Sequence, residues 1–264
     1  MLASRKAEEV RVVSQVSECP RPGFERELRF CPICREQGGR LFLTDFRAGV
    51  RYEFDTRQCM ARVDEPGPDL RAASGLTERE AACRLAPVDR WNREAYGRLA
   101  GWQPGERGVY LLGRPCPEED NPHGNGTGKT WGLCALVARL CSEGIGAVFT
   151  TTGELLDGMR AAYGQEGRAE ALMRRWCEAP ALCLDGLGQE SIRRDSEWGA
   201  ATLYAVIDRR VRAGRAVFVS SRLRLPGDVE RRYGPEYGPD IASRLVGACD
   251  VMPLSGPDRR YGGR

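Results

Sequence analysis

Lysine is almost absent from this chain: 264 residues hold 38 arginines but only two lysines, Lys6 and Lys129. Long apolar runs are missing too. None approaches the roughly 20 residues that a membrane-spanning helix requires, and the charged stretch from Met1 to Arg11 is not followed by the apolar core of a secretory signal. Both absences point to a cytoplasmic protein with no membrane partner. An excess of one charge is also lacking. The net charge is only +3, so nothing draws the whole molecule toward nucleic acid, and any basic binding surface must be local. Eleven cysteines, an odd number without an export signal, do not form a disulfide framework, and most are expected as thiols. The length allows one large domain or two modest ones with ample core.

What is present centres on His123-Gly124-Asn125-Gly126-Thr127-Gly128-Lys129-Thr130, which reads as the phosphate-binding loop of a P-loop nucleotide triphosphatase. Glycines let backbone N–H groups turn inward around phosphate oxygens, and the following helix aims its positive end at them. Gly124, Asn125, Gly126, Thr127 and Gly128 are therefore candidate contacts for ATP. Lys129 would reach the β and γ phosphates, and Thr130 would hold Mg²⁺. A slender ammonium fits such a loop where a planar guanidinium would overfill it, which accounts for a lysine amid so many arginines. The context agrees: Gly108–Gly113 is a short apolar strand, and Trp131 to Cys141 is an apolar helical stretch.

The motif departs from G-x-x-x-x-G-K-[ST] in one place, since His123 stands where the first glycine belongs. Alternatively Gly113 is that glycine, and Cys116 to Asn125 is an insertion. The second reading is preferred. The insertion carries Glu118, Glu119 and Asp120, poor neighbours for phosphate, and should fold outward, as a tolerated surface loop or a partner-facing one.

Downstream, Ala147 to Thr151, Ala181 to Asp185, Ala216 to Ser221 and Val251 to Leu254 read as further strands alternating with helices. The fold class is α/β, with a parallel five-stranded sheet between helices and a ligand at the strands' carboxyl ends. An apolar strand ending in Asp185 supplies what the second half of a P-loop site needs, a carboxylate to hold Mg²⁺ through its water shell.

Residues 1–95 read as a separate amino-terminal module and residues 96–264 as the nucleotide-binding domain. In the module, Cys31-Pro32-Ile33-Cys34 has a spacing that lets two thiolates grip Zn²⁺, and Cys59 and Cys19 could complete a four-thiolate site; free thiols are the alternative. Leu41–Thr44 and Val50–Phe54 flank a turn and suggest a hairpin, and Thr77 is a plausible cap where the pattern turns helical.

The ordered set GVYLLG…GNGTGKT, FTTTGELLDGMR, ALCLDGLGQE, LYAVIDRRVRAGRAVFVSS, DIASRL and PLSGPDRR resembles the bacterial helicase-loader AAA+ ATPases of the DnaC/DnaI type and the related IstB-like transposition helpers. The likeness spans about residues 96–260. It implies a AAA+ core that binds ATP between subunits of a homo-oligomer, with Arg244 as an arginine finger reaching the neighbour's γ-phosphate. It also implies a loader's role in DNA replication, gripping a replicative DNA helicase through the amino-terminal module and single-stranded DNA through the ATPase assembly. Two positions depart from the family. Gly186 replaces the second acid that orients the attacking water, so either Glu190 substitutes or the protein is a nucleotide-gated switch with little hydrolysis. After the fourth strand, Ser221 could contact the water or Arg222 the phosphate.

Overall fold

The computed structural model describes the backbone of three strands within residues 1–69, and then residues 70–86, 88–190 and 197–260. The chain divides into two compact units, Met1–Asp69 and Leu70–Arg264. In the first, β1 (Glu9–Val13) runs parallel to β3 (Val50–Asp55), and β2 (Arg40–Asp45) pairs antiparallel with the same strand. Leu41 lies opposite Phe54, the hairpin that the alternating residues suggest. Cys19, Cys31, Cys34 and Cys59 lie outside the described residues, as does any zinc site they would form.

The second unit begins with three short helices, α1 (Leu70–Ala73), α2 (Glu78–Ala81) and α3 (Arg93–Gly101). Thr77 closes a reciprocal cap on α2, its hydroxyl accepting from Glu80 N–H while the Glu80 carboxylate accepts from Thr77 N–H. There follow β4 (Gly108–Gly113), α4 (Lys129–Ser142), β5 (Ala147–Thr151), α5 (Thr152–Ala161), α6 (Arg168–Glu178) and β6 (Ala181–Leu187). The unit closes with α7 (Trp198–Arg212), β7 (Ala216–Ser221), α8 (Gly227–Ala248) and β8 (Cys249–Leu254). Helix α8 is broken at Gly234, which sits at φ 79°.

The five strands β4 to β8 form one all-parallel sheet in the order β5-β6-β7-β4-β8. Both faces are covered, so the strands read as nearly continuous apolar runs. Val109, Leu111, Cys183 and Phe218 point to the layer that holds α3 and α4, while Tyr110, Leu182, Leu184, Val217 and Val219 point to the layer of α5 to α8. Among the described residues no helix is long and apolar enough to cross a membrane, and Cys83, Cys116, Cys134, Cys141, Cys177, Cys183 and Cys249 are not joined in disulfides.

The boundary expected at residue 95 falls at residue 69 instead. Residues 70–95 belong to the sheet unit because they finish its surface. Ser74 C=O accepts the N–H of Phe149 on edge strand β5 at 2.7 Å, and Arg175 donates to Ala73 C=O at 3.0 Å. Cys83, Ala95, Tyr96 and Leu99 pack into one cluster with Leu133 and Leu136 of α4.

Candidate functional site

Strand β4 ends at Gly113, and the chain re-enters the sheet's carboxyl edge at Gly124 after an out-and-back excursion. A Cβ on Gly124 would stand 2.7 Å from the backbone of Arg114, so the excursion leaves and returns at one point. A Cβ on Gly113 would stand 2.4 Å from Lys129 Nζ. This close approach gives Gly113 the place of the motif's first glycine, and His123 is exposed at the excursion's end. Cys116 pairs with Asn121 across the loop, whose buried Asn121 donates to Asn125 C=O (2.7 Å) and Gly256 C=O (2.9 Å). Glu118 and Asp120 face solvent.

From Gly124 the backbone curls, with Gly124, Gly126 and Gly128 at φ 62°, 58° and 96°, and Gly128 caps the amino end of α4. The Lys129 ammonium is buried beneath this curl, donating to Gly124 C=O at 3.0 Å and Thr127 Oγ1 at 3.2 Å. Burial lowers its pKa to about 8, and the Arg222 guanidinium acts in the same direction. A buried cation held only by neutral oxygens is short of anionic partners, which phosphate oxygens would supply. Beside it, Thr130 Oγ1 lies 3.0 Å from both carboxylate oxygens of Asp185, at the carboxyl end of β6. Burial raises the Asp185 carboxyl above its ordinary pKa, opposed by hydrogen bonds from Ser220 and Thr130. A hydroxyl and a carboxylate meeting beside a phosphate cradle form a donor set suited to a hard divalent cation. Among the described residues no cluster of three or more His, Cys, Asp or Glu could hold a metal.

These groups line a cleft of about 1100 Å³ at the sheet's carboxyl edge. Gly126, Lys129, Thr130 and Asp185 lie together there, as the sequence predicts, with Asn125, Thr127 and Gly128. Three predicted residues stand elsewhere. Ser221 is fully buried and donates to Leu187 C=O at 2.7 Å, while its neighbour Ser220 lines the cleft and donates to Asp185 at 2.5 Å. Glu190 is buried, its carboxylate accepting from Thr152 Oγ1 (2.8 Å), Gly188 N–H (2.9 Å) and the Tyr233 hydroxyl (2.9 Å). That carboxylate locks a turn and does not line the cleft. Arg244, on α8, is absent from the lining of its own chain's cleft and donates to Asp208 at 2.9 Å with its side chain 42% exposed.

Several lining residues escaped the sequence reading. Strand alternation carries the signal for Ser220, because it shares a face with Phe218, on the side of α4. Arg222, which the sequence does offer as a phosphate contact, also lines the cleft and donates to Asn125 Oδ1 at 3.2 Å. Tyr96, donating to Gly128 C=O at 3.0 Å, comes from α3, a helix that the expected boundary at residue 95 cuts in two. The segment after β8 folds back: Arg259 N–H donates to Gly126 C=O at 3.1 Å and its guanidinium to Asp89 at 2.6 Å. No local pattern announces this return.

The family model of the IstB-like ATP binding protein matches residues 122–261, more than half of the chain, from the loop's end through the returning segment. The chain belongs to the IstB-like ATP-binding family. Among relatives of this IstB-like chain, the uncharacterized protein YdaV of Escherichia coli K12 is 29% identical over 98 residues. The ATP-binding protein of insertion sequence IS1162 from Pseudomonas fluorescens is 31% identical over 98 residues. Each match covers 37% of this chain, which spans about two fifths of the length of these relatives. Solved structures share the fold. DnaI superposes with a TM-score of 0.55 at 18% identity, covering 73% of this chain and 100% of that one. The DnaC helicase loader gives 0.53 at 20%, covering 67% and 99%. AMPPCP-bound DnaA from Aquifex aeolicus gives 0.51 at 15%, covering 66% and 50%.

Proposed function

We propose that this IstB-like chain is an ATP-dependent assembly factor of the helicase-loader kind, which delivers a replicative DNA helicase to single-stranded DNA. The observation that carries the reading is the cleft itself, where the buried Lys129 ammonium and the Thr130–Asp185 pair converge beneath a glycine curl at the sheet's carboxyl edge. Backbone N–H groups from Gly124 to Gly128 would surround the phosphates, and Lys129 would exchange its carbonyl contact for phosphate oxygens. Thr130 would ligate Mg²⁺, and Asp185, oriented by Ser220, would hold the ion's water shell. Bound there, the ion would neutralise charge on the β and γ phosphates. Arg244 would act in trans: held by Asp208 at the surface of one copy, it would swing to the γ-phosphate bound by the next.

The partners follow from relatives. A loader of helicase and a DnaA bound to AMPPCP and single-stranded DNA share the fold, which supports DNA as the platform. A transposition helper is the second reading. It is favoured by the family match and by the insertion-sequence relative, and it keeps the same ATP site with a transposase as partner.

The test measures a fluorescent ATP analogue binding to wild type and Lys129→Ala, then single-stranded DNA binding with and without ATP. Co-purification with the host replicative helicase or with a transposase follows. Binding abolished by Lys129→Ala, with ATP-dependent capture of DNA and helicase, is the expected result. Capture of transposase alone would move the chain to the second reading, and ATP binding unchanged in Lys129→Ala would overturn the site.

A further inference from the structure

The position after Asp185 is where a P-loop ATPase of this kind would carry a water-orienting acid, and here it is Gly186. The structure does not present this as a simple deletion. Strand β6 slips against β7 between Leu184 and Leu187, and Gly186 occupies the irregularity at φ 74°, a conformation that disfavours side chains. Its N–H donates to Ser220 Oγ at 3.0 Å. An acid here would be strained, and the backbone is shaped for glycine.

What the turn does next supplies a replacement. Gln189 N–H donates to Gly186 C=O at 2.9 Å, folding the chain back so that the Gln189 side chain overlies Gly186. A Cβ on Gly186 would stand 3.5 Å from both Cδ and Oε1 of Gln189, so the carboxamide fills the space in which an acid's side chain would begin. Gln189 lines the cleft with Lys129, Thr130, Asp185 and Ser220, and its carboxamide makes no hydrogen bond among the described residues. The turn is firmly held on either side. Glu190 is anchored by Thr152, Gly188 N–H and Tyr233, and a Cβ on Gly188 would strike Leu223 at 2.5 Å. The other cleft acids are occupied: Glu80 accepts from Thr77 N–H and Oγ1, and Asp258 accepts from Arg260 N–H.

We propose that Gln189 orients the water that attacks the γ-phosphate, in the place of the missing acid. The inference rests on the reading that this cleft binds ATP. A carboxamide offers an acceptor in Oε1 and a donor in Nε2, so it can fix a water's direction without taking its proton. The water oxygen bonds to Pγ while the bond from Pγ to the β–γ bridging oxygen breaks. ADP leaves with that electron pair, and the water's proton passes to a γ-phosphate oxygen, giving inorganic phosphate. Phosphoryl transfer depends chiefly on positioning and charge, and P-loop GTPases use glutamine in this way.

The experiment compares wild type, Gln189→Ala, Gln189→Glu and Lys129→Ala, measuring ATP-analogue affinity and phosphate release with single-stranded DNA present. For Gln189→Ala we expect kcat to fall about a hundredfold, with the ATP Kd and KM within about twofold of wild type. A merely structural residue would shift affinity and melting temperature as well. Gln189→Glu should retain turnover and add an acid limb to kcat against pH, as the new carboxyl titrates. Turnover of Gln189→Ala within about twofold of wild type would overturn the proposal. So would a wild type that binds ATP yet releases no phosphate above Lys129→Ala, leaving a nucleotide-gated switch. A wild type that fails to bind ATP would remove the underlying reading as well.

Discussion

Because the Lys129 ammonium is buried against neutral oxygens, its pKa falls to about 8, close enough to physiological pH to govern binding. Phosphate favours the charged form and so raises the pKa on binding. From neutral pH to about 8 the ammonium is already charged and affinity should be flat. Above about 8 a proton must be taken up, and affinity should fall by up to about tenfold per pH unit. Calorimetry in buffers of different ionisation enthalpy would detect the uptake, and an affinity unchanged to pH 10 would contradict it. The same residue shows how much of the site the sequence discloses. Lys129, Thr130 and Asp185 are legible because a glycine curl and an apolar strand are local patterns. Ser220 can be reached through alternation along β7, whereas Gln189 and the buried role of Glu190 cannot, since they depend on the turn that follows the Gly186 irregularity.

At the scale of elements, the parallel sheet is legible because each strand is a short apolar run between helices, whereas the way its layers are tied together is not. Arg210 of α7 is wholly buried and donates to Trp176 C=O, Pro180 C=O and Ala216 C=O, joining the end of α6 to the starts of β6 and β7. In a chain with 38 arginines nothing in the sequence sets it apart. Arg210→Met should leave three carbonyls short of a donor and cost roughly 3 kcal/mol in urea unfolding. Arg210→Lys should recover only part of this, because a point ammonium cannot span the three acceptors. Equal stability of all three proteins would mean that the carbonyls find other donors.

For the whole molecule, the division at residue 69 makes a statement about independent folding. A fragment of residues 70–264 should melt as a unit and bind the ATP analogue with full-chain affinity. One beginning at residue 96 loses the Ser74 cap on β5 and the Cys83 contact with α4, and should melt at least about 5 °C lower. Equal melting temperatures would restore the boundary to residue 95. The contacts joining residues 70–95 to the sheet are made with residues far along the chain, so no local pattern in the sequence marks them.

The scarcity of lysine has a practical chemical consequence. Within the sheet unit Lys129 is the sole side-chain amine, so an acylating reagent meets no competing lysine there, and a bound triphosphate would shield the one it meets. A lysine-specific protease has only two bonds to cut in the entire chain, after Lys6 and after Lys129. Cleavage at the second would sever the phosphate loop from its helix, so simple peptide mapping reports directly on occupancy of the cleft.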